Sequence, residues 1–147
     1  MQMVFSKTCE YAIRAVIYIA QKSEDGTKVS IREISAGIDS PVHFIAKILQ
    51  DLSKREIVQS SKGPTGGFYI DKDSRKKTLA DVVTAIDGDK LFTGCGLGLK
   101  NCSEMKPCPL HSEFKSIREK IKVTLHTATI GDFNESLNAG LSFIKER

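Results

Sequence analysis

Tryptophan is missing from this chain, and seven Phe and three Tyr bring the aromatics to only 7% of 147 residues. Few of them lie near basic residues, which excludes the stacking platforms that grip single-stranded nucleic acid. No apolar run approaches the roughly 18 residues of a membrane span. The N-terminus lacks a basic segment followed by an apolar core and a small-residue cleavage site, so a cytoplasmic protein is expected. Internal repeats and low-complexity tracts are also missing. No nucleophile–base pair or phosphate-binding loop is visible, so an enzyme is not expected. Cysteine is scarce, with four in all. Three of them and a histidine, however, crowd into C-GLGLKN-C-SEMKP-C-PL-H, residues 95–111.

What is present suits one small globular domain with an appendage. Hydrophobic residues are 40% and charged residues 27% of the chain, ordinary values for a domain that folds around its own core. The net charge of +4 is localised. Residues 40–77 hold eight cations, Lys47, Lys54, Arg55, Lys62, Lys72, Arg75, Lys76 and Lys77. They hold four acids, Asp51, Glu56, Asp71 and Asp73. Eight less four is +4, so the rest of the chain sums to zero. A segment of this kind suits a polyanion or a solvated surface.

The periodicity predicts a mainly α fold with a small β-hairpin. Cys9, Ala12, Ile13, Val16, Ile17 and Ala20 form one face of a helix over 6–22, with Ser6 as N-cap. Ser30-Ile31-Arg32-Glu33 reads as a capping box opening a short helix with Ile31, Ile34 and Ile38 inward. After a turn around Gly37, Ser40 as N-cap and Pro41 at the first helical position open a longer helix. Its expected buried face is Val42, Ile45, Ile48, Leu49 and Leu52. Short helix, tight turn and longer helix make a helix-turn-helix. Ile57-Val58-Gln59 and Phe68-Tyr69-Ile70 flank a Gly/Pro turn, a hairpin placed where a wing would be. Thr78-Leu79-Ala80-Asp81 opens another capped helix, with Leu79, Val82, Val83 and Ile86 inward and Asp87-Gly88 closing it.

Residues 88–107 are glycine-rich and expected to be a loop. Cys108-Pro109 then restarts a helix of about 20 residues with Cys108 at its cap. Phe114, Ile117, Ile121, Leu125 and Ala128 form a narrow apolar seam on it. Such a seam fits dimerisation or a helix folded back on its own domain. Gly131-Asp132 breaks the helix before a short tail. The expected organisation is a winged helix-turn-helix domain over 1–87, a ligand-binding loop over 88–107, and a dimerisation helix with tail over 108–147.

A recognition helix presents its N-terminal side chains to base edges. Here these are Ser40, Pro41, His43 and Lys47, the last two one turn apart and able to donate hydrogen bonds in the major groove. In the hairpin, Lys62 beside Gly63, Pro64, Thr65, Gly66 and Gly67 combines a phosphate-neutralising cation with small residues that let backbone approach backbone. Duplex DNA is the better match, although the hairpin also fits a plain tight turn and His43 a surface histidine.

Cys95, Cys102, Cys108 and His111 have the chemistry to hold an iron–sulfur cluster or Zn²⁺. The spacing has no tight Cys-x2-4-Cys knuckle, so a bulkier cluster is favoured over zinc. A thiol or disulfide switch stays open, as does a surface role for His111. Cys9 falls on the inner face of the first helix and reads as core.

Four further stretches complete a pattern. They are Ser6-Lys7 with Tyr11-Ala12, Phe44-Ile45-Ala46-Lys47-Ile48-Leu49, Lys62-Gly63-Pro64-Thr65-Gly66-Gly67-Phe68, and Thr129-Ile130-Gly131-Asp132 after the long helix. With the cysteine segment they make the chain resemble the Rrf-type winged-helix regulators of bacteria, above all the IscR-like ones, from residue 5 to about 137. The resemblance implies a homodimeric transcription factor that binds double-stranded operator DNA. It also implies a [2Fe–2S] cluster, or alternatively a [4Fe–4S] cluster or Zn²⁺, on Cys95, Cys102, Cys108 and His111. NsrR-type members cap the cluster with an acidic residue of the first helix, which makes Glu10 a rival fourth ligand. A small iron–sulfur redox protein carrying the same fold is the alternative from a different class.

Overall fold

The computed structural model describes residues 4–100 and 103–145. Helices α1 (Lys7–Lys22), α2 (Ile31–Ile38) and α3 (Val42–Lys54) are followed by strands β1 (Gln59–Ser61) and β2 (Gly67–Tyr69). Then come α4 (Lys72–Arg75), α5 (Leu79–Asp87), α6 (Lys90–Thr93), α7 (His111–Thr127), a 3-10 turn over Ile130–Phe133, and α8 (Asn134–Asn138). The fold is the expected one, mainly helical with one antiparallel two-stranded sheet.

Helix α1 is the axis of the fold. Ser6 caps it, its hydroxyl accepting from the Cys9 N–H at 3.0 Å. The helix buries Cys9, Ala12, Ala15, Val16, Ile17, Ile19 and Ala20, a wider face than the predicted stripe. The reason is position: α1 packs against α2 and α3 on one side and against α5 and the 3-10 turn on another. The main core joins α1 to Val29, Ile34, Ile38, Ile45, Ile48, Leu49, Leu52, Ile57, Val58, Ile70 and Val82. A second cluster gathers Cys9, Leu79, Ala80, Val83 and Leu125, with Leu91, Phe92 and Ile121 against it. This smaller core binds the cysteine-bearing half of the chain to the N-terminus of α1.

The helix-turn-helix forms with its boundary moved. Ser30 caps α2 as expected, accepting from the Glu33 N–H at 3.2 Å, while the Glu33 carboxylate takes the Ser30 hydroxyl rather than the backbone amide of the predicted box. Gly37 lies inside α2, where a Cβ would stand 2.2 Å from the Tyr18 ring, so it permits close packing of α2 on α1 rather than making the turn. The turn is made by Asp39, left-handed at φ 54°. Ser40 belongs to this reversal. Its amide donates to the Ser35 carbonyl at 3.0 Å, its carbonyl accepts from the Ser35 hydroxyl, and it is buried. Pro41 takes the cap position and α3 begins at Val42 with no side-chain cap. Val42, expected inside, is 47% exposed at the first position of the helix.

The wing is a hairpin whose register pairs Gln59 with Tyr69, Ser60 with Phe68 and Ser61 with Gly67. Ile57 and Val58, predicted as strand, are core residues ahead of the ladder. Val29 exchanges both backbone hydrogen bonds with Phe68 at 2.8 Å, so the wing is anchored to the segment before α2. Gly67 faces this bridge; a Cβ there would meet the Val29 carbonyl oxygen at 2.9 Å. Thr78 caps α5 in a full capping box with Asp81.

Two expectations about the second half are corrected. Residues 88–107 are not wholly loop: Lys90–Thr93 form α6, held down by Leu91 and Phe92. The long helix starts at His111, not at Cys108-Pro109. Leu110 stands at its cap, and the His111 N–H donates to the Cys108 carbonyl at 3.0 Å, a tighter first turn than an α-helix makes. At its far end α7 docks back on the body. Leu125 is buried, Leu79 N–H donates to the Ala128 carbonyl at 3.0 Å, and Ile130 N–H donates to the Lys77 carbonyl at 2.9 Å.

Candidate functional site

Helix α3 and the wing present one surface. His43 and Lys47 are exposed one turn apart on α3, opposite the buried Ile45 and Leu49. Pro41 is exposed beside them, whereas Ser40 is buried and withdrawn from that face. In the wing Lys62, Gly63, Pro64 and Thr65 are exposed, and the Gly66 N–H closes the turn on the Gly63 carbonyl at 3.0 Å. Gly66 has no room for a side chain, since a Cβ would lie 2.1 Å from the Ser61 carbonyl oxygen.

The basic segment divides by contact. Arg75 donates to the Ala20 carbonyl at 2.8 Å, and Lys77 Nζ to the Glu56 carbonyl at 2.8 Å; both are engaged inside the fold. Lys47, Lys54, Arg55, Lys62, Lys72 and Lys76 are exposed. Lys28 lies 5.9 Å from the Tyr69 ring centre at the base of the wing. The charge count over residues 40–77 passed it over because it precedes α2 in sequence; the bridge from Val29 to Phe68 brings it there.

Behind α3, Tyr11 of α1 meets Phe44 edge-on at 5.4 Å. The Arg14 guanidinium stacks 4.9 Å from the Tyr11 ring centre and donates to the Ile38 carbonyl at 3.2 Å. The start of α3 is therefore held from α1.

In the second candidate site, the Cys95 and Cys108 side chains are neighbours. Backbone N–H groups of Leu97 and Leu99, and more weakly that of Gly98, surround the Cys95 sulfur and hold its pKa below the usual thiol value. The loop lies on α7: a Cβ at Gly96 would strike the Phe114 ring at 2.3 Å, and Arg118 donates to the Gly94 carbonyl at 2.7 Å. Lys115 pairs with Glu104, clipping the later part of the loop to the same helix. The Glu104 carboxyl is held below its usual range by Lys115 first and, more weakly, by His111, which places His111 near this clip.

His111 stands at the first turn of α7, half-buried, three residues past Cys108. Cys102 lies outside the described residues. Glu10 sits in another depression with Phe5, Lys7, Ile13 and Arg14, and its carboxylate faces Lys7 at 3.7 Å. Cys95, by contrast, lines a groove with Val4, Leu91, Phe114, Ile117 and Ile121. Within one chain the structure joins Cys95 to Cys108 and keeps Glu10 apart from them.

The sequence model of the Rrf2 family, described as an iron-dependent transcriptional regulator, matches residues 5–136. The chain belongs to the Rrf2 family. Among curated relatives it is 33% identical to an HTH-type transcriptional regulator of Aquifex aeolicus over 132 residues, covering 88% of this chain and 90% of that one. It is 28% identical to the HTH-type transcriptional regulator IscR of Yersinia pseudotuberculosis over 122 residues, 83% of this chain and 73% of that one. Solved structures share its fold. CymR of B. subtilis has a TM-score of 0.73 at 19% identity, covering 91% of this chain and 98% of that one. IscR of T. potens has a TM-score of 0.72 at 18% identity, covering 97% and 92%.

This Rrf2 chain is accordingly a DNA-binding transcriptional regulator, in a family of regulators rather than enzymes. Among the described residues no helix is long and apolar enough to cross a membrane.

Proposed function

We propose that this Rrf2 protein works as a cytoplasmic homodimer that reads duplex operator DNA with α3 and the wing. Its affinity or site choice is set by an iron–sulfur centre on Cys95, Cys102, Cys108 and a fourth ligand, His111, with Glu10 the rival. One observation carries the reading: two thiols thirteen positions apart, Cys95 and Cys108, stand side by side, and the backbone N–H groups of Leu97 and Leu99 favour the anionic form at Cys95. That donor set fits a thiophilic centre, [2Fe–2S] first, with [4Fe–4S] or Zn²⁺ as the alternatives. When bound, the cluster supplies chemistry that iron supply, oxygen or nitric oxide can alter.

The chain's own residues supply the rest. His43 and Lys47 donate to acceptors in the major groove, and Lys62 neutralises a phosphate while Gly66 and Gly67 let the wing approach the sugar-phosphate backbone. The packing of Gly96 on Phe114 and the bond from Arg118 to Gly94 make the loop part of the surface of α7. The dimer seam on that helix is supported by Ile117, 52% exposed, and Val123, 60% exposed among the described residues. A second copy crossing there joins two recognition helices for half-sites one turn of DNA apart. A change at the loop acts on operator binding only by favouring one dimer geometry over another.

The test begins with oxygen-free purification and measurement of iron, sulfide and visible absorption. Iron with equal sulfide and a reddish-brown colour is expected; zinc alone, or neither, overturns the cluster. Operator recovered from co-purifying DNA is then titrated with the loaded protein and with a Cys102→Ala dimer. Different affinities or site preferences are expected, and equal ones remove the sensing role while leaving a DNA-binding dimer.

A further inference from the structure

One set of contacts lies between the two sites and belongs to neither. Asp87 is the last residue of α5, followed by Gly88 at φ +75° and then α6 with the cysteine loop. Its carboxylate accepts from the Ser6 N–H at 3.1 Å and from the Ser6 hydroxyl, and it faces the Cys9 thiol. The Ser6 hydroxyl oxygen in turn accepts from the Cys9 N–H. The N-terminus of α1 is therefore closed by a residue at the edge of the cysteine loop.

Cys9 is fully buried and shares its apolar cluster with Leu91 and Phe92 of α6 and with Ile121 and Leu125 of α7. Two residues further along α1, Tyr11 meets Phe44 in the first turn of α3, and Arg14 ties Tyr11 to the end of α2. A displacement of the backbone at 87–88 must either carry Ser6 with it or break two hydrogen bonds. Leaving buried polar groups unpaired is costly, so the first turn of α1 follows the loop. Tyr11 is the residue after that turn, and Phe44 follows it through their edge-on ring contact at 5.4 Å.

We infer that Asp87 is a positioning residue that transmits the state of the 88–100 loop through α1 to the N-terminal turn of the recognition helix. The inference rests on the sensing role proposed above and adds the route by which it reaches the DNA-binding surface.

The experiment uses the full chain in two forms, metal-free and reconstituted with iron and sulfide. Asp87→Asn replaces one acceptor oxygen with a donor against the Ser6 and Cys9 donors. Ser6→Ala removes the hydroxyl link and leaves the backbone one, and serves if the first variant folds poorly. Amide hydrogen exchange at residues 7–11 and 42–46 is followed beside operator affinity. In the natural chain both segments exchange differently in the two forms. In either variant the difference at 42–46 disappears, and the ratio of operator affinities moves toward one by about fivefold or more, with the visible spectrum of the reconstituted protein unchanged.

Variants that weaken both forms equally and keep the ratio make Asp87 a merely structural cap and overturn the inference alone. Equal operator binding by the two forms of the natural chain removes the sensing role and the inference together.

Discussion

The guanidinium of Arg75 reaches the Ala20 carbonyl at 2.8 Å and the Ser23 hydroxyl at 3.4 Å, so a cation from the basic segment closes the C-terminal end of α1. Asn134 donates to the same Ala20 carbonyl at 3.3 Å. This end of α1 lies under α4 and the 3-10 turn, where its last carbonyls have no helical partner of their own. A positive group there also complements the helix dipole.

Arg75→Ala is expected to lower the unfolding free energy by about 1.5–3 kcal/mol, the range for a hydrogen bond to a charged group. Operator affinity should keep its dependence on salt, because Arg75 faces the protein. Urea denaturation and a salt titration check the two halves separately. A shallower salt slope with unchanged stability would place Arg75 on the DNA instead.

Lys62 is exposed at the wing turn. Lys62→Ala should weaken binding to operator and to unrelated duplex alike, and lower the salt slope by about one per site. A loss confined to operator would mean that the wing reads bases.

The Cys9 thiol titrates far from its ordinary range. Burial first, then the charge and hydrogen-bonding of Asp87, push its pKa from 9.0 up to about 12. The folded pKa is the higher one, so between these values the native chain keeps a proton that the unfolded chain has lost. The stabilisation is fully present below pH 9 and declines as pH rises, by about 1.4 kcal/mol per unit, until about pH 12. Stability curves from pH 8 to 11 should fall more steeply for the natural chain than for Cys9→Ala. Parallel curves would show that other groups set the alkaline limit.

Ile117 is a hydrophobe of α7 left open to solvent in the single chain. Ile117→Lys should convert the dimer to monomer in sedimentation analysis, with helix content by circular dichroism unchanged. Retention of the dimer would move the seam off this face.

Much of the architecture is legible because it depends on local rules. Ser6, Ser30 and Thr78 cap the helices they were expected to cap, and the wing falls where the Gly/Pro cluster stands. Capping is decided within four residues, and hairpin turns by the residues that make them. Boundaries slip where a distant partner competes. Ser40 is taken by Ser35 and lost to α3, and the helix expected from Pro109 waits until His111.

The candidate site divides in the same way. The residue types at 95, 102, 108 and 111, and the exposed pair His43 and Lys47, follow from composition and periodicity, since donor chemistry and helical spacing are properties of the chain itself. Which thiols meet, which cations stay free and what stands behind the recognition helix are decided by packing. Cys95 finds Cys108, Arg75 turns to α1, and Asp87 closes on Ser6 across 81 positions. No local pattern contains such pairs, because they form only after α1 has gathered the other helices around itself.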